Sequence, residues 1–172
     1  MNNSNYSKNI IVTFGLISGL IAITISLIAY FLGKSVNPGA LLSTLSFLLP
    51  VILIVIGIKK FKTQNKGFLK WAEAIKIGIG IALIWGLLAL IFQYVLETYI
   101  DPSLIDDKIE VVRESLENWG MDDDVIEEEL NKQKNKSPLF GISMGLLLFT
   151  FIGFVVSAIT GAILKNTPED NY

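Results

Sequence analysis

The chain has 172 residues, 52% of them hydrophobic and 17% charged, with a formal net charge of −2 and a mean hydropathy of +0.57. One domain is the natural count at this length, and so apolar a composition lies well above that of soluble domains. There is no Cys and no His, which excludes disulfides, thiolate chemistry, Fe–S ligation, lipid attachment through Cys and His-based triads, and leaves carboxylates as the available metal ligands.

The apolar residues fall into four charge-free runs, residues 9–33, 35–58, 77–96 and 137–164. At 1.5 Å per residue each is long enough to cross about 30 Å of hydrocarbon. The expectation is an all-α integral membrane four-helix bundle in a single membrane domain, 1–172. Its spans lie near 10–32, 40–58, 75–97 and 139–164, and a charged helical hairpin, 101–136, stands outside the membrane between spans three and four. The first run is too long for the core of a cleavable signal peptide, and Ala29-Tyr30-Phe31 is no cleavage site, so it reads as an uncleaved span.

In the first span Gly15 and Gly19 are four residues apart, setting two glycines on one face where another backbone can approach. Asn37-Pro38-Gly39 then marks a tight turn, with Pro38 suited to the first turn of the next helix. Pro50 lies inside the second span and frees the carbonyl of Ser46, whose own hydroxyl is placed to take it up.

Six lysines follow in residues 59–76: Lys59, Lys60, Lys62, Lys66, Lys70 and Lys76, interleaved with Phe61, Phe68 and Trp71. Lysines and aromatics beside a span fit the headgroup zone of an anionic leaflet. Lys59, Lys60, Lys62, Lys66, Lys70 and Trp71 are therefore the expected lipid contacts. The spacing Phe68, Leu69, Ala72, Ile75 predicts a short helix lying in the interface before the third span. Nucleic acid is not an expected partner, because the cluster has no Arg and the membrane flanks account for its charge.

In the third span Ala74, Gly78, Ala82 and Gly86 recur every four residues. This ladder predicts close packing on a neighbouring helix. Gln93 and Glu97 continue nearly the same face and are the candidate polar site, although the preferred reading of Glu97 is as the first residue past the hydrocarbon, reaching to water. The fourth span answers with Gly141, Gly145, Gly153, Ser157 and Gly161 on one register, interrupted by Phe149.

Between these spans lie 13 of the 16 acids, from Glu97 to Glu129. Asp101-Pro102 predicts the start of one helix, Gly120 its end, and Asp122-Asp123-Asp124 the start of a second whose far end carries Lys132, Lys134 and Lys136. The acidic run lacks the alternating spacing and glycine of a calcium loop, so capping and solvation account for it better than metal binding. The tail, residues 165–172, reads as short, polar and mobile.

A lysine-rich turn with Asn65-Lys66-Gly67-Phe68 leads into the Gly-rich third span, and Tyr99-Ile100-Asp101-Pro102 exits before the charged hairpin. With these features the chain resembles the family called domain of unknown function 4199, small four-span membrane proteins of Bacteroidota-type bacteria. The resemblance implies the architecture and carries no activity with it.

No enzyme is expected, since the spans hold no nucleophile with a base and no acid pair. No cofactor is expected either. The preferred function is a scaffold, assembly or envelope accessory factor working by association, whose partners are the lipid bilayer and either a second copy or another membrane protein. The alternative is a small oligomeric transporter or channel. Eight lysines on the side of both termini and residues 59–76, against six Lys and Arg on the other, place that side in the cytoplasm of a bacterial inner membrane.

Overall fold

The computed structural model describes residues 3–167. Six α-helices follow one another: α1 (Asn3–Phe31), α2 (Gly39–Gln64), α3 (Trp71–Val95), α4 (Ser103–Asn118), α5 (Asp123–Lys134) and α6 (Pro138–Leu164), with a π-helical turn, Leu96–Ile100, between α3 and α4. Four helical segments, Asn5–Phe31, Gly39–Gln64, Trp71–Ile100 and Pro138–Leu164, are long and apolar enough to cross a membrane. The spanning helices alternate in direction. One end of the bundle carries the lysine-rich turn, and the other carries the α1–α2 turn and the α4–α5 hairpin.

The central helix is α3, which packs against α1, α2 and α6; α2 also packs against α1 and α6, while among the described residues the α1 and α6 backbones do not come side by side. Glycines set both main interfaces of α3. Parallel α1 and α3 interlock through side chains seated in glycine notches: Ile84 over Gly15, Leu88 over Gly19 and, in return, Ile11 over Gly80. Antiparallel α3 and α6 meet ladder to ladder, Ala74 against Gly161, Gly78 against Ser157, Ala82 against Gly153, Gly86 against Phe149 and Leu90 against Gly145. Each four-residue step forward in α3 matches one back in α6, because residues four apart share a helix face. Phe149, which interrupts the glycine register, fills the notch at Gly86 and stacks edge-on against Trp85 with ring centroids 4.6 Å apart.

Several expectations change. Gly141 belongs to no packing face: a Cβ there would meet nothing within 4 Å, since the ladder ends one step earlier at Gly145. The interfacial helix before the third span is absent. Instead α2 runs through Gln64, Lys66 and Gly67 take positive φ (56° and 86°) and end it, and Leu69 pairs with Asn166 as an isolated antiparallel bridge, N–H to carbonyl at 2.9 and 3.0 Å. Leu69 is buried in the core rather than laid on a membrane surface. Asn166 also donates its side-chain amide to the Gly67 carbonyl at 3.1 Å, so the first residues of the tail are pinned; 168–172 lie outside the described residues.

Pro38 sits one position before α2 begins. The Ser46 hydroxyl lines a cavity and makes no hydrogen bond among the described residues, although α2 runs unbroken through Pro50. The Ser157 hydroxyl bonds the Gly153 carbonyl of its own helix at 2.6 Å, so it serves the interface by being small and not by bridging across it.

Candidate functional site at the hairpin end

Beyond Leu90 and Gly145 the two central helices no longer fill the space between them. There α3 passes into the π-helical turn, where the Asp101 N–H reaches back five residues to the Leu96 carbonyl at 2.8 Å. Such widened turns are frequent at functional sites. Asp101 leaves the helix at φ −143°, and its carboxylate accepts the backbone N–H of Ser103 at 3.2 Å, starting α4.

This exit carries α4 back over the end of α3 and brings Lys108 onto Glu97. The Glu97 carboxylate accepts hydrogen bonds from both the Gln93 amide, one helical turn before it, and the Lys108 ammonium. Glu97 is about one-fifth exposed (19%), with Lys108 the more exposed partner. The structure thus brings the two candidate polar residues together, and Glu97 is a paired, half-buried group instead of one reaching freely to water.

Around this cluster lies a cavity of about 570 Å³ formed by α3, the π turn, α4, the end of α5 and the start of α6. Its walls are apolar toward the membrane, with Leu90, Gly141 and Ile142, and cationic toward water, with Lys108, Lys134 and Lys136. Lys108 has no signature in the sequence. Eleven residues and a change of helix separate it from Glu97, and the only signal was the reversal at Asp101-Pro102.

A second cavity of about 460 Å³ opens at the same end, between α1, α2, α3 and α6, lined by Ser26, Ser35, Ser43 and Ser46 together with Trp85 and Phe149. The sequence reading missed it, because these serines follow no shared register.

Helices α4 and α5 pack on each other through Leu116, Ile126 and Leu130, with Ile109 and Val112 against them. Gly120, at φ +73°, ends α4 in the left-handed conformation that a side chain would strain. Arg113 clasps Glu127 across the pair at 2.7 Å, and the hydrogen bond to that carboxylate raises its already high pKa. On α5 the Lys132 ammonium bonds Glu128 at 2.7 Å, four residues before it, which lowers the Glu128 pKa and raises that of Lys132. Asp122 stands at the N-cap position of α5 without a side-chain capping bond, while Glu127 and Glu128 pair with cations, and among the described residues no three acids converge as a metal site.

At the opposite end Lys59, Lys60 and Lys62 lie on the last turns of α2, and Lys66 and Lys70 in the turn after it. The Lys60 ammonium lies 5.6 Å from the centre of the Phe14 ring. Trp71 opens α3 half exposed, its indole N–H donating to the Ala158 carbonyl at 3.0 Å.

Four apolar spans around a glycine-laddered centre, with a charged helical hairpin inserted before the last, define a polytopic α-helical membrane protein. The family model described as a protein of unknown function (DUF4199) matches residues 13–166, most of the chain, and the chain belongs to that family. No curated protein and no solved structure matches it.

Proposed function

We propose that this protein is a non-enzymatic membrane component that works by association, as a scaffold, assembly or envelope accessory factor. Its place is the bacterial cytoplasmic membrane, with both termini and residues 59–76 in the cytoplasm. What supports the reading is the state of the bundle's lysine end. Ile54, Ile58, Leu69, Ile77 and Ile81 are fully buried there, and the α3 and α6 backbones approach closely at Gly78 and Gly153, a packed apolar interior that holds no charged residue among the fully buried described residues. The soluble hairpin exposes Trp119, Met121 and Val125 near its tip, a small apolar patch on a strongly charged element.

The second reading, an oligomeric transporter, draws on the paired Glu97 inside its cavity. Proteoliposomes separate the two. The parent and Glu97→Gln are expected to show the same background leak of protons, Na⁺ and K⁺; flux in the parent that Glu97→Gln abolishes would establish transport. A photocrosslinker at position 119 in native membranes is expected to yield one discrete adduct larger than the chain, and adducts to lipid only would contradict the association reading.

Orientation is tested separately. Single cysteines placed by Thr63→Cys and Ser115→Cys meet a membrane-impermeant thiol reagent in cells whose inner membrane is intact. Position 115 is expected to label and position 63 to stay silent.

A further inference from the structure

The hairpin-end cavity has a charge opposite to that of its surroundings. Residues 101–136 contain twelve carboxylates and five cations, a strongly negative segment. Yet the cavity wall holds one carboxylate, Glu97, against three ammonium groups, Lys108, Lys134 and Lys136. The pairing is selective as well. Arg113 and Lys132 are engaged by acids of the hairpin and Lys108 by Glu97, whereas Lys134 and Lys136 make no ion pair with any described residue.

The cavity is also amphiphilic along the membrane normal. Its deep part is made by Leu90, Gly141 and Ile142 at the ends of two spans, and Gly141 leaves open space where a side chain would stand. Its shallow part is the lysine pair. Tyr99, Ile100, Leu139 and Phe140 stand exposed beside it; the tyrosine is of the type enriched at a membrane–water boundary, and the other three are apolar. An inorganic anion would use the lysines and leave the apolar floor wet, while a neutral lipid would use the floor and leave two cations unanswered.

From this juxtaposition we infer that the cavity is a binding site for an anionic phospholipid, whose phosphate headgroup lies between Lys134 and Lys136 and whose upper acyl segment lies on Leu90, Gly141 and Ile142. The lipid neutralises the unpaired cations and ties the acidic hairpin to a membrane surface that would otherwise repel it. The inference is independent of the association reading, since a transporter would need the same anchor.

The test uses the full chain reconstituted in neutral bilayers doped with phosphatidylglycerol or phosphatidylcholine carrying a photoreactive acyl chain, followed by peptide mapping of the adducts. Phosphatidylglycerol is expected to label residues 90–98 and 138–144 and phosphatidylcholine to label them at background. Excess unlabelled phosphatidylglycerol should compete, and millimolar inorganic phosphate should not. Lys134→Gln with Lys136→Gln is expected to cut this labelling about thirtyfold, the value of two cations at an anionic headgroup. Labelling near residues 59–71 should persist as an internal control.

Gly141→Leu fills the floor without meeting another atom and is expected to lower the same labelling while the protein stays folded. Equal labelling by the two lipids, labelling that survives the double substitution, or displacement by inorganic phosphate would each overturn the proposal.

Discussion

The two ends of the bundle use the same helices and differ in how the α3 and α6 ladders are filled. At the lysine end small residues face small residues, Ala74 on Gly161, Gly78 on Ser157 and Ala82 on Gly153. A Cβ on Gly153 would stand 3.0 Å from the Gly78 carbonyl oxygen and 3.3 Å from the Ile79 Cα, so backbone meets backbone. At the hairpin end small residues face large ones, Gly86 on Phe149 and Gly145 on Leu90, the nearest atoms are all side chain, and one step later the space at Gly141 is empty. Both large cavities open at this second end. Glycine on a helix face therefore closes an interface only when its partner is also small; opposite a large side chain it is a socket, and opposite nothing it is room.

Substitutions along the ladder sharpen this contrast in graded steps. Gly78→Leu or Gly153→Leu drives a side chain into backbone and is expected to cost more than about 3 kcal/mol, the upper end for overpacking, read as loss of folded protein in a detergent thermal melt. Gly86→Leu first meets the Phe149 side chain, whose ring can swing toward the cavity it lines, so about 1–3 kcal/mol is expected. Phe149→Ala empties the same socket for about 1–3 kcal/mol, less than a fully buried Phe because this one is partly exposed. Gly141→Leu should leave the melt unchanged. An equal cost at positions 78 and 141 would break the comparison.

At the lysine end Asn166→Ala removes the amide bond to Gly67 and is expected to cost about 1 kcal/mol. The smallest effect belongs to the hairpin's exposed pairs. Glu128 has a lowered pKa, so its contribution is present above the ordinary carboxylate range and is lost as pH falls through the folded value. Lys132 has a raised pKa, so its contribution is present below the ordinary lysine range and is lost as pH rises through the folded value. Helicity of the hairpin is thus expected to dip slightly at both extremes, with Lys132→Gln removing both dips; a parent profile flat at both extremes would deny the pair any role.

The membrane class, the four spans and the hairpin were legible because hydrophobic length and capping residues are local signals: Gly120 and Asp122 act within a few residues of where they stand. The ladder was legible because a four-residue period marks a face before its partner is known. What a period cannot tell is where contact stops, and Gly141 continues the register of Gly145 while facing nothing. The apolar stripe over Phe68, Leu69 and Ala72 suggested a helix in the interface. The positive φ of Lys66 and Gly67 and the pairing of Leu69 with Asn166, almost a hundred residues away, replaced it with an extended strap, which only tertiary contact could select. The candidate polar pair, Gln93 and Glu97, came from helical spacing. Its cation, Lys108, came from a chain reversal whose geometry is set by the π turn.

The central claim is that the interior is shut at the lysine end and open at the hairpin end, and the absence of native cysteine makes it directly measurable. Ser46→Cys places a thiol in the cavity wall at the hairpin end, and Ser157→Cys places one, nearly isosterically, in the fully buried ladder at the lysine end. Each variant in sealed vesicles of known orientation is exposed to a small charged methanethiosulfonate from one side at a time. Position 46 is expected to react from the hairpin side only and position 157 from neither side; reaction at position 157 from the lysine side would reveal a water path through the ladder and contradict the account.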